Sequence, residues 1–474
     1  MTEFLKPEIC VIGAGAGGLA AAGAAAAFSV PTVLIEKGRM GGESLNSGCI
    51  PSKALIAAAE RAAMLRDGAR FGAKAVRFGV DFAAAHAHVR GVVDALSPND
   101  SRERFTALGV RVVAAQARFT DAGTVVAGDI TVNARRFVIA TGSSPIMPAI
   151  DGLLDTPHLT NETVFDLGEC PRHLIIVGAG ATGLELAQAF RRLGADVTVL
   201  EAATPLAGED GECVSVVLDA LARDGVKLRT GVQVTKVSRA LARVQVALST
   251  PRGAEMVEGS HLLVAAGRQP NVEGLDLEAA GVRHATQGIV VDDRLRTSNK
   301  RVYAIGDVTG GPKFTHVANH HAGLVIRHAL FGLPIKVNHR EIPRVTYTDP
   351  ELAHVGLLEE AARAEARTIR VLRWPYTEND RARTALATEG HVKIVTDRKG
   401  DILGATIVGA RAGENITAWA LAISHKLNIR AFAGLVVPYP TYAEAGKRAA
   451  ITFFADDLTS YRTRRIMGWL RRLR

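Results

Sequence analysis

A turn of the form Gly-x-Gly-x-x-Gly occurs twice in this chain, each time between an apolar run and an alanine-rich stretch. The first copy reads Ile9-Cys10-Val11-Ile12-Gly13-Ala14-Gly15-Ala16-Gly17-Gly18, and the second Leu174-Ile175-Ile176-Val177-Gly178-Ala179-Gly180-Ala181-Thr182-Gly183. Each continues into another apolar run that ends in an acid, at Glu36 (followed by Lys37) and at Glu201, 23 residues after the first glycine in both copies. The glycines let the backbone turn tightly and approach a pyrophosphate at a helix N-terminus, while the acid accepts from a ribose hydroxyl. One such turn is a weak signal. Two with matching strand context and matching acid spacing predict two dinucleotide sites, at Gly13, Gly15, Gly18, Glu36 and Lys37, and at Gly178, Gly180, Gly183 and Glu201.

The length of 474 residues suits about three domains of ~150 residues each. Residues 9–35 carry no charge, but five glycines, Ser29 and Pro31 interrupt them, and the first eight residues hold two glutamates against one lysine. A secretory start would be positive, so a buried strand-helix-strand unit and a cytoplasmic protein are expected. Cys10, Cys49, Cys170 and Cys213 are too scattered for a disulfide framework or a zinc site, and no metal ligands are assigned. The net charge of +9 falls to +3 without the six arginines of residues 462–474, so no nucleic-acid partner is expected.

The segment Gly41-Gly42-Glu43-Ser44-Leu45-Asn46-Ser47-Gly48-Cys49-Ile50-Pro51-Ser52-Lys53 resembles the redox-active segment of flavoprotein disulfide reductases, the class I pyridine nucleotide-disulfide oxidoreductases. Those enzymes carry Gly-Gly-x-Cys-Leu-Asn-x-Gly-Cys-x-Pro-Ser-Lys, with two thiols that close over the flavin. Other stretches match in the same order: Ala140-Thr141-Gly142, Ala265-Ala266-Gly267-Arg268-Gln269-Pro270-Asn271, Val302-Tyr303-Ala304-Ile305-Gly306-Asp307, and Thr348-Asp349-Pro350-Glu351. The resemblance implies an α/β fold with two Rossmann-like domains, FAD in the first and a nicotinamide dinucleotide in the second, plus a C-terminal α+β dimerisation domain. The expected division is 1–149 and 276–340 for FAD, 150–275 for NAD(H), 341–458 for the dimer interface, and a basic tail at 459–474. Gly42, Thr141, Gly142, Gly267 and Asp307 join the cofactor-binding set on the same ground.

Two departures bear on the chemistry. The first redox cysteine is replaced by Ser44, whose hydroxyl forms no disulfide and is a weak nucleophile without an adjacent base. Cys49 remains, before Pro51 at a helix start, a place that favours thiolate. Near the C-terminus, Tyr439-Pro440-Thr441-Tyr442-Ala443-Glu444 stands where dihydrolipoamide dehydrogenases carry His-Pro-Thr-x-x-Glu with a histidine acid-base catalyst. A phenol, with a reference pKa of about 10, shuttles protons poorly at neutral pH. Tyrosine there is similar to mercuric reductases, yet this chain has no cysteine after Cys213. Lys53 and Glu185 match the family's lysine-glutamate pair near the nicotinamide. Glu201, with no lysine or arginine in residues 202–211, disfavours a 2′-phosphate and points to NADH over NADPH.

The expected protein is a homodimeric FAD-dependent NADH oxidoreductase with catalytic candidates Cys49, Ser44, Lys53, Glu185, Tyr439 and Glu444. Its acceptor is a disulfide or soft metal ion, with the disulfide relay disabled as written; the alternatives are a quinone or dye reductase, or a membrane-surface flavoprotein without turnover. In the tail, Ile466, Trp469, Leu470 and Leu473 recur at helical spacing among arginines, the pattern of a helix lying on the inner face of an anionic membrane. A solvated terminus or a helix docked on its own dimer are the other readings.

Overall fold

Strand Ile9–Ile12 lies at the centre of a five-stranded parallel sheet. Thr32–Glu36 and then Arg111–Ala114 lie on one side, with Arg136–Ile139 and then Val302–Ala304 on the other. Both faces are covered, so the strands read as continuous apolar runs. Alternation divides them: Cys10, Ile12, Val33, Ile35 and Phe137 enter one core, and Ile9, Val11, Leu34 and Val138 enter another with Ala21, Ala22 and Val325. The second core is roofed by helices Ala16–Ala27 and Thr315–Phe331, which meet so closely that a Cβ on Gly17 would lie 3.1 Å from that of Ala318.

The second dinucleotide motif builds the same arrangement. His173–Val177 is an interior strand of a four-stranded parallel sheet between Asp196–Glu201 and His261–Val264, with Lys227–Thr230 outside Asp196–Glu201. An antiparallel three-stranded sheet, Gln233–Ala240, Arg243–Thr250 and Gly253–Gly259, completes this part. Strands Ser143–Pro145 and Arg268–Pro270 then pair antiparallel, so the chain entering and the chain leaving the second sheet are zipped together.

The computed structural model describes residues 3–73, 79–241, 243–365, 368–455 and 461–472. These form two compact units, one from 1–204 with 226–337 and one from 205–225 with 338–474. The segment 205–225, which the sequence assigns to the 150–275 domain, clusters with the second unit. There, Lys393 is buried, its Nζ 2.7 Å from Asp210 Oδ2, 3.0 Å from Glu359 and 3.1 Å from Glu212. This unit has a five-stranded antiparallel sheet in the order Arg344–Thr346, Glu351–Gly356, Ile402–Gly409, His391–Asp397, Ile369–Pro375. Helix Ala412–Ser424 covers it, with Trp419 stacked on Phe432. The tail forms helix Tyr461–Leu470; Leu473, Arg474 and the Arg462 side chain lie outside the described residues. Among the described residues, no helix is long and apolar enough to cross a membrane.

Candidate active site

The two glycine turns have almost the same shape. Gly13 and Gly178 take φ of +103° and +107°, and a Cβ at either would lie 2.4 Å from a carbonyl, Ala140 O or Ala265 O. Only glycine fits this combination of positive φ and close approach. Gly15 and Gly180 then cap their helices with no side-chain partner, at (−78°, −177°) and (−75°, −178°). The acids also correspond. Glu36 accepts from Ala14 N (2.5 Å) and Gly38 N (2.7 Å), and Glu201 accepts from Ala179 N (2.7 Å) and Ala203 N (2.8 Å). Lys37 is exposed beside Glu36.

Gly42, at φ +60°, lies against the first turn, where its Cβ would be 2.6 Å from Gly15 Cα. Asn46 pins the following loop by donating to Met40 O and Gly42 O, at 3.0 and 2.7 Å. Ser44 lies on the short helix Gly42–Asn46, and Cys49 is the exposed first residue of helix Cys49–Arg66. Thr315, the first residue of its helix, connects them: its Oγ1 donates to Ser44 Oγ at 3.2 Å and lies 3.3 Å from Cys49 Sγ. All four cysteines are free. Cys10 is buried in the sheet core, where burial pushes its thiol pKa up.

Helix Cys49–Arg66 packs against helix Ala181–Leu193. The contact brings Lys53 Nζ to 2.8 Å from Glu185 Oε2, the carboxylate largely buried and the amine about one-third exposed. A second network surrounds Asp307. Ser143 Oγ donates to Asp307 Oδ2 at 2.6 Å, and Arg268 donates from Nε to Ser143 Oγ and from Nη2 to Ser143 O, at 2.8 and 2.7 Å. Arg268 also lies 3.4 Å from Glu43 Oε1, and Asn161 Nδ2 donates to that oxygen at 3.1 Å. Burial raises the Glu43 pKa; Arg268 opposes this and Asp307 adds to it. Thr141 and Asn271 exchange hydrogen bonds at 2.7 and 2.9 Å, next to Gly142, whose carbonyl accepts from Asn271 N. Gly267 turns the chain at φ +114° just before the paired strand Arg268–Pro270.

A family model described as pyridine nucleotide-disulphide oxidoreductase matches residues 7–322, and one for that family's dimerisation domain matches residues 342–450. The chain belongs to this family. It is 38% identical over 458 residues to a mercuric reductase of Streptomyces lividans, covering 95% of this chain and 96% of the relative. It is 36% identical over 458 residues to dihydrolipoyl dehydrogenase 3 of Pseudomonas aeruginosa, covering 94% and 97%. Among solved structures, LpdA of Mycobacterium tuberculosis superposes with a TM-score of 0.86 at 28% identity, covering 94% and 99%. The Cu(II) complex of the HOCl-induced flavoprotein disulfide reductase RclA of Escherichia coli gives 0.83 at 28%, covering 93% and 98%.

Members of this pyridine nucleotide-disulphide oxidoreductase family bind FAD and use a pyridine nucleotide. The residues present fit both groups: two helix N-termini without side-chain caps, each beside an acid, and open space at Gly180, where a Cβ would meet nothing within 4 Å. The matched dimerisation domain supports a homodimer. Tyr439 and Glu444 belong to the second unit. Tyr439 is exposed and donates to Asp380 Oδ2 at 2.8 Å, which pushes the phenol pKa up, while Glu444 binds Arg448 at 2.9 Å. The sequence by itself marks no role for Thr315, Glu43, Asn161, Ser143 or Arg268. Glu43 and Arg268 stand inside recognised motifs; Thr315 lies 266 residues from Cys49, and no local pattern marks it.

Proposed function

We propose that this chain is an NADH-dependent, FAD-containing oxidoreductase that delivers electrons to a soft metal ion held at Cys49, without a protein disulfide. The observation that carries this is the exposed Cys49 thiol, joined through the Thr315 hydroxyl to a serine where a second sulfur would stand. FAD, when held by the first glycine turn with Glu36 and Asp307, would supply the hydride-transfer and electron-transfer chemistry. The chain's own residues have simpler tasks. Gly178, Gly180 and Gly183 admit the nicotinamide dinucleotide and Glu201 accepts from its ribose, while Gly13, Gly15, Gly18, Glu36 and Asp307 do the same for FAD. Lys53 and Glu185 fix one another's orientation. Cys49, at the start of its helix, offers a soft donor to a thiophilic cation, and the Thr315 and Ser44 hydroxyls orient its sulfur. The mercuric reductases among the relatives support this reading.

A quinone or dye taking electrons directly from the flavin is the second reading. It is favoured by the absence of a second thiol: Cys10 and Cys213 are buried, Cys170 lies near Leu193, and no cysteine follows Cys213 to deliver a metal. Anaerobic NADH oxidation with thiol-complexed Hg(II), Cu(II) or menadione distinguishes the two. Metal reduction that Cys49→Ala abolishes while menadione turnover persists supports the first reading. Menadione turnover alone, insensitive to Cys49→Ala, supports the second. NADH consumption at blank level with all three acceptors overturns both.

A further inference from the structure

We propose that the C-terminal helix Tyr461–Leu470, with the arginines that follow it, seats the enzyme on an anionic phospholipid surface. Ile466, Met467, Trp469 and Leu470 are 57%, 52%, 62% and 45% exposed. At about 100° per residue they share one arc of roughly 160°. Arg464, Arg465, Arg471 and Arg472 occupy the opposite side. Backbone bonds from Arg471 N to Met467 O and from Arg472 N to Trp469 O continue the helical winding past Leu470, which keeps Arg471 and Arg472 in register. Residues 458–474 contain no aspartate or glutamate, so nothing within the tail neutralises this charge.

A lipid interface is the occupant that uses both faces. A polyanion such as duplex DNA would engage the arginines and leave four large apolar side chains in water, and a second copy would bring an equally cationic helix. At an anionic bilayer the apolar arc enters the headgroup boundary, and the guanidinium groups remain among the phosphates. Trp469 lies at the edge of the apolar arc nearest Arg465, the amphipathic position that indoles favour at membrane interfaces. Ten residues span only about 15 Å, half a hydrocarbon core, so the helix lies on the surface and does not cross it.

The test is sedimentation of the full-length holoenzyme with vesicles of phosphatidylglycerol and phosphatidylcholine, against phosphatidylcholine alone. The expected result is partition to the anionic vesicles at least about 10-fold stronger than to the zwitterionic ones, released by about 0.5 M salt. Arg464→Glu with Arg465→Glu should lower that partition at least about 10-fold. Trp469→Ala with Leu470→Ala should also weaken it, and both variants should keep the parent's NADH oxidation with soluble menadione. Equal partition of parent and variants overturns the proposal, as does failure of the parent to bind anionic vesicles. So does tighter binding of the parent to duplex DNA than to those vesicles. Because the readout is binding, its failure leaves the oxidoreductase reading untouched.

Discussion

Lys53 Nζ lies 2.8 Å from Glu185 Oε2, an ion pair that joins two residues 132 positions apart across the contact of helices Cys49–Arg66 and Ala181–Leu193. Each helix begins at a functional feature, Cys49 in one and the Gly180 cap in the other. The pair therefore fixes the register between the redox loop and the second nucleotide turn. Lys53→Met should slow flavin reduction by NADH by about 100-fold, the effect of a misplaced positioning group, with FAD content unchanged. Glu185→Gln should do the same, and the double variant should lose little more than either single one. Anaerobic stopped-flow measurement of flavin bleaching gives these rates.

The site should not reduce disulfides. Lipoamide and glutathione disulfide turnover should stay at background, because Ser44 supplies no attacking thiolate and Tyr439 is an exposed phenol whose pKa Asp380 raises further. Ser44→Cys should introduce a disulfide with Cys49 that takes up two additional electrons per flavin in an anaerobic dithionite titration. Adding Tyr439→His should raise disulfide reduction more than the two single gains combined, the result expected where thiol exchange and protonation act on one step.

Nucleotide preference should follow Glu201. Its carboxylate already engages Ala179 N and Ala203 N at the glycine turn and would repel a 2′-phosphate. The parent should reduce its flavin faster with NADH than with NADPH, and Glu201→Arg should shift the ratio of kcat/KM values toward NADPH. An unchanged ratio would place the ribose elsewhere.

Stability should fall with pH between about 6.5 and 4. His354 is buried in the second unit, with Nδ1 2.8 Å from Thr406 Oγ1 and Nε2 3.0 Å from Gly356 O. Burial, and after it the charge of Arg344, holds the ring pKa down to about 4. In this window the unfolded chain binds a proton that the folded ring refuses, so acid favours unfolding, by up to about 3 kcal/mol in all. His391 is shifted in the same direction by its burial. Thermal unfolding from pH 7 to pH 4 should show a falling Tm, with a shallower slope in His354→Gln.

The sequence by itself determined the two dinucleotide units, because their requirements are local. A glycine must stand where φ is positive, and an acid must end the second strand, and both recur at the same spacing. The same holds for Cys49 at a helix start and for the loss of a sulfur at Ser44. Tertiary structure alone decided which distant groups share the site. Thr315 reaches Ser44 and Cys49, and Arg268 reaches Ser143 and Glu43, because sheet order and helix packing bring together segments more than a hundred residues apart. It also decided that 205–225 clusters with the second unit, where the buried Lys393 amine holds Asp210 and Glu212. Such contacts depend on which surfaces bury each other, and neither periodicity nor spacing along the chain encodes that choice.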